Sequence, residues 1–290
     1  EVSLKSGGAV LKALKEAGVD AHSIDADASI LRRLEEAKFS RVFIALHGKG
    51  GEDGQLQGAL ETLGLPYTGT GVLGSALGMD KLRTKYLWRG LNIPTPDFVV
   101  VDSKESIAVA QQMRMPVIVK PSTQGSSIGM AKVTDPRALP EACKNAQKFD
   151  PVVLVEQWIT GAEYTASILD DQALPLIRLE TPRAFYDYEA KYLANDTRYI
   201  CPCELATEKE SAIQDLALQA FRALGCTGWG RVDVMCDAQG EPYFLEVNTV
   251  PGMTDHSLVP MAARAAGLTF GELCWKILES SLVRGKTWCW

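Results

Sequence analysis

Two short stretches near the carboxyl end carry polar side chains inside otherwise apolar strand patterns. In FLEVN, Glu246 and Asn248 stand two residues apart, and in RVDV, Arg231 and Asp233 have the same spacing. Because successive side chains of a strand point to opposite faces, each pair shares one face of its strand. The Ala-Gln-Gly segment between the stretches predicts a hairpin. If the polar faces coincide, two carboxylates, an amide and a guanidinium lie side by side.

Such a row suits a divalent cation that carries phosphate. Hard oxygen ligands beside an arginine match Mg²⁺ and do not match zinc. The other strand positions are apolar, so the polar row is expected to face a cleft or water. These apolar positions are Val232, Val234, Leu245 and Val247. The alternative is a solvent-facing strand with an ordinary salt bridge, and these residues alone leave both interpretations open.

The stretch PVIVKPSTQGSSIGMAKV, residues 116–133, favours a phosphate-binding loop. An apolar strand ends in Lys120, a loop with three serines and no acid follows, and a second strand returns. Backbone amides in such a loop can approach phosphate oxygens closely, and the lysine adds a positive charge. A solvated hairpin with a surface lysine is the alternative, but Lys120 ends a strand that is apolar enough to be buried.

The stretch VVLVEQWITGAEY, residues 152–164, could hold a planar base. Glu156 ends an apolar strand, and Trp158 and Ile159 follow just beyond it. A base could lie against these apolar groups while backbone amides and Glu156 read its edge. Glu163 could then bind ribose hydroxyls. A surface glutamate beside a core tryptophan is the alternative.

Residues 185–196, FYDYEAKYLAND, are aromatic and strongly charged, and they fall in a long loop. Loops of this length in compact domains are usually lids or disordered segments. The aromatic residues favour a lid that docks and brings Lys191 and Tyr192 over a site.

The elements that must position these residues follow an α/β pattern. Residues 4–17 have apolar side chains at helical spacing, and residues 41–46 form a continuous apolar strand. A helix over 55–63 and the short strand PYTG come next. This βαβ rhythm predicts an open parallel sheet, with His47 at the carboxyl end of a strand, where ligands bind in such sheets. Later strands and carboxyl-terminal helices predict at least two further lobes.

One glycine motif is expected to be a false match. Residues 69–74 read GTGVLG, which fits the dinucleotide fingerprint G-x-G-x-x-G. The fingerprint requires a strong preceding strand and an acid about 20 residues further on. The preceding strand is short, and Asp97 and Asp102 come later than the fingerprint requires. NAD binding is therefore not expected.

Composition excludes several classes of function. The net charge of −6 and the pI near 5.3 give no electrostatic footprint for nucleic acid. No basic-then-apolar signal segment or membrane-length apolar run is visible, so no membrane partner is expected. The seven cysteines form no C-x-x-C pair. They are interpreted as buried, reduced thiols of a cytosolic protein and not as zinc ligands.

Taken together and in order, these segments resemble the D-alanine–D-alanine ligases, a family of ATP-grasp enzymes. The resemblance covers residues 1 to about 280. It rests on the segments EVSLKSG, HGKGGEDG, MDK, KPSTQGSS, EYT, YDYEAKY, GWGRVDV and LEVNTVPGMTDHSLVP. It implies an α/β, three-domain ATP-grasp fold with α+β ATP-binding lobes and an amino-terminal open parallel sheet. The expected domains are 1–72, 73–163 and 164–290, with ATP held between the last two.

The resemblance also implies roles at the nucleotide and metal sites. ATP is expected to contact Lys81, Lys120, Glu156, Trp158, Ile159, Glu163, Phe185 and Lys191. Two Mg²⁺ ions, for which Mn²⁺ could substitute, are expected to bind Asp233, Glu246 and Asn248. Two-metal sites of this kind neutralise the charge on a transferring phosphoryl group.

The same resemblance implies the substrate site. Arg231 and the backbone amide of Gly252 are expected to form an oxyanion site. Ser257 and Leu258 would receive the carboxylate of a second D-alanine, and His47 would lie near the first. Ser126 and Tyr192 would join a network that holds the lid, and a tyrosine at this lid position accompanies dipeptide formation in the family.

The implied reaction joins two D-alanine molecules to D-alanyl-D-alanine through D-alanyl phosphate, for peptidoglycan precursors. The implied protein is a cytoplasmic homodimer. The family begins with a strand and a Gly-rich loop that carries a glutamate upstream of EVSL, whereas this sequence starts at the acid of EVSL, Glu1. We therefore expect the first sheet to lack an inner strand. Another ATP-grasp carboxylate–amine ligase and a catalytically inactive nucleotide-binding remnant are the alternatives.

Overall fold

The fold is a mixed α/β architecture in which two antiparallel sheets face a common cavity. The computed structural model describes residues 2–181 and 197–282, and within them ten strands and ten α-helices are formed. The helices are α1 Val2–Glu16, α2 Ile30–Ala37, α3 Gln55–Thr62, α4 Val72–Met79, α5 Lys81–Gly90, α6 Lys104–Ala110, α7 Leu139–Ala146, α8 Thr207–Ala223, α9 Leu258–Ala265 and α10 Phe270–Ser280.

The predicted amino-terminal helix is confirmed as α1. Its apolar stripe buries Val10, Ala13 and Leu14, and the chain leaves the helix at Gly18, whose φ of 83° is left-handed. Glycine adopts this conformation without a steric penalty, which explains the end of the helix.

The predicted strand over 41–46 is only partly formed. Val42 makes a single parallel bridge to Tyr67, and no longer parallel ladder occurs in residues 2–72. The parallel direction that the βαβ rhythm predicted is therefore present, but the open parallel sheet is reduced to one bridge. The physical reason is that an apolar run becomes a sheet strand only where a neighbour supplies a ladder, and the short segment PYTG pairs through Tyr67 alone.

The first sheet contains the predicted strands of the middle of the chain. Its order is β1-β4-β2-β3, with every neighbouring pair antiparallel. The strands are β1 Phe98–Val101, β2 Val117–Pro121, β3 Ala131–Val133 and β4 Val153–Gln157. Alternate valines, including Val117, Val119 and Val155, are fully buried against α6 and α7. This one-sided burial leaves the opposite face of the sheet for the cavity.

The second sheet has the order β10-β9-β5-β7-β8, with β6 paired to β5. Its strands are β5 Gly161–Leu169, β6 Gln172–Ala173, β7 Ile177–Glu180, β8 Arg198–Ile200, β9 Trp229–Asp237 and β10 Pro242–Asn248. The predicted hairpin of β9 and β10 is confirmed. Ala166, Val232 and Val234 are fully buried in a hydrophobic cluster that also contains α8 residues. The other face of the sheet is therefore available to a ligand.

The three predicted domains are packed closely. Leu14 and Leu60 of the first third share a hydrophobic cluster with Trp229 and Leu273. The boundary expected at residue 163 falls inside β5, so the division into 1–72, 73–163 and 164–290 stays a prediction.

The glycines of GTGVLG serve close packing of the first third against the carboxyl-terminal third. Gly69 has a φ of 85° and approaches the indole of Trp229, and Gly74 lies against the backbone of Gly225. A Cβ at Gly74 would lie 2.5 Å from Thr70 Cγ2 and 2.9 Å from Gly225 O. The motif thus has a packing function at a position where any side chain would collide.

The cysteines of the described residues are free thiols. Five of the six are buried, as the sequence predicted, and the sixth, Cys201, is partly buried. Burial raises the pKa of Cys226 and of Cys274 to about 12, so both stay protonated at neutral pH. Within residues 2–181 and 197–282, no helix has the length and apolar character that a bilayer crossing requires.

The packing of Gly74 generates a matched pair of stability predictions. Gly74→Ala is expected to lower the free energy of unfolding by about 1–3 kcal/mol, because the new methyl group overpacks the contact. Gly8→Ala in α1, where a Cβ meets nothing within 4 Å, is expected to raise it by about 0.5–1 kcal/mol. Urea denaturation measures both changes. Equal effects at the two positions would contradict the packing role.

Candidate active site

A cavity of about 980 Å³ lies between the two sheets. A volume of this size accommodates a ligand as large as a nucleotide. Its wall contains predicted site residues from both sheets and from α5, namely Lys81, Lys120, Glu156, Trp158, Ile159, Glu163, Asp233 and Glu246. The cavity therefore brings together residues that are up to 165 positions apart in the sequence (246 − 81).

The two polar strand faces coincide, as the hairpin predicted. Glu246 lies opposite Asp233, and Asn248 lies opposite Arg231. Arg231 donates from Nε to Asp233 Oδ1 at 2.7 Å and from Nη2 to Oδ2 at 2.8 Å. Asn248 Nδ2 donates to the same Oδ2 at 3.2 Å. The four side chains form one row, which we call the polar row.

Leu245, one of the apolar positions of the predicted strand, lies at the cavity together with the polar row. A β-bulge between Phe244 and Glu246 leaves Leu245 without a paired residue on β9, and its side chain lines the cavity beside Glu246. A bulge places two residues opposite one and changes the phase of the strand. This extra residue brings Glu246, and not Leu245, opposite Asp233.

Cations neutralise both carboxylates of the polar row. Lys81 Nζ lies 3.1 Å from Glu246 Oε2 and also donates to Gln124 O at 2.8 Å. Asp233 is paired with Arg231 and accepts a fourth hydrogen bond from Thr165 Oγ1 at 2.9 Å. The carboxylates are therefore held in place by ion pairs before any ligand is considered.

The polar row meets the needs of Mg²⁺ when phosphate is present. In the described residues no cluster of three or more His, Cys, Asp or Glu side chains could hold a metal by itself. Mg²⁺, however, is commonly bound by one or two carboxylates together with phosphate oxygens and water. Asp233 and Glu246 supply two carboxylates to the cavity, and Asn248 supplies an amide beside them. The donor set thus fits a metal–phosphate complex better than a site made by protein alone.

The Gly/Ser-rich loop is anchored at the start of α5. The N–H of Lys81 donates to Ser122 O at 3.1 Å, and Ser122 Oγ donates to Asp80 Oδ1, the cap of that helix. Ser126 and Ser127 have φ values of 53° and 59°. Non-glycine residues rarely adopt this left-handed conformation, and such positions cluster at ligand-binding sites.

At the far end of the cavity, cations surround Glu156. Its Oε2 lies 2.7 Å from Lys120 Nζ, and its Oε1 lies 3.2 Å from Lys85 Nζ. Nearby, Lys132 Nζ stands 3.9 Å from the centroid of the Trp158 ring. The polar and aromatic groups predicted for a base are thus close together, although their contacts with a nucleotide stay a prediction.

His47 is held against the segment that follows β10. Its Nδ1 bonds to Val250 O at 2.7 Å, which requires the proton on Nδ1, so Nε2 accepts from Ser6 Oγ at 3.2 Å. Ser6 Oγ in turn accepts from the N–H of Met253 at 3.1 Å. Burial, aided by the nearby charge of Arg231, lowers the pKa of His47, so the neutral ring is favoured.

Gly252 and Ser257 form a tight bend just before α9. A Cβ on Gly252 would lie 2.8 Å from Ser257 Oγ, so glycine is required for this approach. Ser257 Oγ accepts from the N–H of Thr254 at 2.9 Å, and Leu258 begins α9. A helix amino terminus favours a bound carboxylate, which agrees with the role predicted for Ser257 and Leu258.

Comparisons with known proteins agree with this geometry. Two family models match the chain: "D-ala D-ala ligase N-terminus" over residues 27–70 and "D-ala D-ala ligase C-terminus" over residues 87–279. A relative from Nitrosococcus oceani, "D-alanine--D-alanine ligase", is 60% identical over 285 residues. The match covers 98% of this chain and 90% of that protein. The chain belongs to the D-alanine–D-alanine ligase family.

Solved structures of the family have the same fold. The D-alanine–D-alanine ligase of Bacillus anthracis superposes with a TM-score of 0.87 at 36% identity, covering 98% of this chain and 93% of that one. Its complex with ATP has a TM-score of 0.85 at 32% identity and the same coverage. The ATP-grasp architecture expected from the sequence is thereby confirmed.

Three residues predicted for the family's lid and ATP site lie outside the described residues. They are Phe185, Lys191 and Tyr192. Their roles stay predictions.

Two charged residues that adjoin the predicted site residues were missed from the sequence. Lys85 is fully buried beside Glu156, and its position one helical turn after Lys81 on α5 was the available signal. Glu52 belongs to the quoted segment HGKGGEDG but received no role. Burial raises the pKa of Glu52 to about 7, and the negative charge of Glu246 adds to this effect.

The raised pKa of Glu52 predicts a pH dependence of stability. Between its ordinary pKa of 4.5 and about 7, the unfolded chain loses this proton while the folded protein keeps it. The free energy of unfolding therefore falls as pH rises through this window. In ligand-free protein with a chelator, Glu52→Gln should gain about 3 kcal/mol relative to the parent from pH 4.5 to 7.5.

The measurement is denaturant unfolding at several pH values. Glu241→Gln, on the exposed turn between β9 and β10, is the control and should follow the parent at every pH. Parallel profiles for Glu52→Gln and the parent would show that Glu52 is ionised in the folded protein at neutral pH.

Proposed function

We propose that this protein joins two molecules of D-alanine to D-alanyl-D-alanine and converts ATP to ADP and phosphate. The observation that carries the proposal is the continuity of β10 with the substrate segment. Glu246 and Asn248 lie in the strand, and Gly252 and Ser257 follow it within nine residues of Asn248 (257 − 248). His47 Nδ1 is hydrogen-bonded to the carbonyl oxygen of Val250, which lies between them in the sequence. One short segment thus supports both the phosphate end and the amino acid end of the reaction.

The cavity is proposed to hold ATP with its base near Glu156, Trp158 and Ile159. Glu163 would bind the ribose, and Lys120 and Lys81 would contact the phosphates. This orientation follows from the position of the cations: Lys81 stands at the polar row, and Lys120 stands next to Glu156. Lys191 is proposed to reach the terminal phosphate.

Two Mg²⁺ ions are proposed at the polar row, held by Asp233, Glu246 and Asn248. When bound, such ions neutralise the charge of the transferring phosphoryl group and align it for transfer. Lys81, the present partner of Glu246, would then turn toward anionic substrate groups, while Arg231 would stay paired with Asp233.

In the first step, a carboxylate oxygen of one D-alanine attacks the γ-phosphorus, and the bond to ADP breaks. Lys81, fixed by Gln124 O, would stabilise the negative charge on the phosphoryl oxygens. His47, in its neutral form, would lie beside this first amino acid. Ser126 is proposed to join Tyr192 in holding the substrate under the lid.

In the second step, the amine of another D-alanine, after losing a proton, attacks the acyl carbon, and phosphate leaves from a tetrahedral intermediate. Arg231, oriented by its two hydrogen bonds with Asp233, and the Gly252 amide would stabilise the oxyanion. Ser257 and the amino end of α9 would bind the carboxylate of this second substrate. A closed lid would exclude water, which otherwise hydrolyses the acyl phosphate.

The same proposal assigns the product to peptidoglycan precursors and the protein to the cytoplasm as a homodimer. The support for the product is membership of the family. A different carboxylate–amine ligase would share Lys120 and Glu246, but the comparisons name D-alanine–D-alanine ligases over nearly the whole chain.

An isotope experiment tests the reaction. With D-alanine labelled by ¹⁸O in both carboxylate oxygens, each released phosphate should carry one ¹⁸O, because the attacking oxygen leaves with phosphorus. The dipeptide should keep the other label in its new carbonyl group. Mass spectrometry of phosphate and product measures both, with Mg²⁺ and ATP present.

Two outcomes would contradict the proposal. Phosphate without ¹⁸O would show simple ATP hydrolysis by water. Faster turnover with L-alanine or D-lactate than with D-alanine would show that the dipeptide is not the physiological product. Reactions without D-alanine or with a chelator are the controls, and both should release little phosphate.

A further inference from the structure

Lys85 is a fully buried lysine next to the nucleotide end of the cavity. It lies on α5 one turn after Lys81, and its side chain is 0% exposed. An isolated buried ammonium group is strongly unfavourable, so its partners must be specific. Its Nζ lies 3.2 Å from Glu156 Oε1 and donates to Thr95 Oγ1 at 2.6 Å.

The Glu156 carboxylate is held from two sides and still lacks one hydrogen bond. Lys120 binds Oε2 at 2.7 Å, whereas Lys85, on the Oε1 side, is not aligned for a hydrogen bond to that atom. Apart from this ammonium group of Lys85, 3.2 Å away, Oε1 has no hydrogen-bond donor among the described residues, although the side chain is 99% buried and lines the cavity. A buried acceptor in this state calls for a donor from a ligand.

Thr95, which accepts a hydrogen bond from Lys85, is itself hydrogen-bonded to β10, a strand of the polar row. Thr95 Oγ1 donates to Phe244 O at 2.9 Å, and the N–H of Phe244 donates to Pro94 O at 2.8 Å. Phe244 is the residue at which the bulge of β10 begins. Lys85 therefore connects the Glu156 end of the cavity to the bulged part of the second sheet.

We propose that Lys85 is a positioning residue for recognition of the base. It fixes the Glu156 carboxylate so that Oε1 accepts a hydrogen bond from the exocyclic amine of adenine. A 6-oxopurine presents an acceptor at this place, and two acceptors repel each other. The preference for adenine over a 6-oxopurine then depends on Lys85, although Lys85 itself does not contact the base. This inference rests on the proposed binding of ATP in this cavity.

The electrostatics of the site agree with this role. Burial lowers the pKa of Lys85 to about 7, while the Glu156 carboxylate opposes this shift and Lys120 and Arg89 reinforce it. The cation is thus maintained chiefly by Glu156. The Glu156 carboxylate keeps Lys85 charged, and Lys85 in turn holds that carboxylate in place. Loss of Lys85 should therefore loosen the carboxylate.

The experiment compares ADP with inosine diphosphate, which has oxygen in place of the 6-amino group. Isothermal titration calorimetry on the whole protein gives the ratio of the two dissociation constants. Lys85→Met, similar in length but uncharged, should reduce the preference for ADP by about tenfold. Thr95→Val removes the second anchor of Lys85 together with the hydrogen bond from Thr95 to Phe244 O, and it should reduce the preference by about threefold.

Two further variants separate positioning from general damage. In a Glu156→Met background, adding Lys85→Met should change the ratio by less than about twofold, because the acceptor is already lost. Arg222→Met breaks the exposed ion pair with Asp171 far from the cavity and should keep the parental ratio. Urea midpoints report any loss of folding.

The outcomes are decisive in each case. A parental ratio in Lys85→Met, or in Thr95→Val if Lys85→Met does not fold, would overturn the proposal and leave Lys85 a purely structural ion pair. A parent protein that binds both diphosphates equally would also overturn it. Nucleotide binding is measured without D-alanine, so it does not depend on the ligase reaction. If only the proposed reaction were wrong, the phosphate would carry no ¹⁸O while the preference for ADP over inosine diphosphate stayed intact.

Discussion

The β-bulge in β10 is the constraint on which the active site depends. The unpaired Leu245 brings Glu246 opposite Asp233 and keeps Asn248 opposite Arg231. In a regular ladder Glu246 would lie opposite Val232, on the buried face of the sheet, where a carboxylate has no water or cation. The backbone of the bulge is also tied to another part of the chain, through the hydrogen bonds of Phe244 with residues 94 and 95. The proposed metal site and the proposed base site therefore share one support.

Charge balance explains how so many ionised groups tolerate burial in this cavity. Three of its carboxylates are each paired with at least one cation: Asp233 with Arg231, Glu246 with Lys81, and Glu156 with two lysines. These pairs are costly to form, and breaking one leaves an uncompensated charge. This arrangement is expected where anionic phosphates and divalent cations bind together. A bound cation would then replace a basic side chain beside a carboxylate, and a phosphate would replace a carboxylate beside a basic side chain.

Local chemistry could be predicted from the sequence, and long-range geometry could not. The polar row was predicted because period-two alternation depends only on neighbouring residues, and the family resemblance added the role of Glu246. The bulge was missed because it depends on a pairing partner and on Thr95, about 150 positions away. Residues 41–46 were predicted as a sheet strand, but an apolar run does not specify what pairs with it. Lys85 was missed because a lysine normally indicates surface, and only the fold shows its burial.

The affinity of the protein for Mn²⁺ is the most direct test of the metal site on this strand. Electron paramagnetic resonance can measure it with a non-hydrolysable ATP analogue present at constant concentration. Asp233→Asn is expected to bind Mn²⁺ at least about tenfold more weakly than the parent, because a carboxylate ligand is lost. Asp171→Asn, which changes an exposed carboxylate remote from the cavity, should bind it like the parent. Equal affinities of the parent and Asp233→Asn would contradict the account.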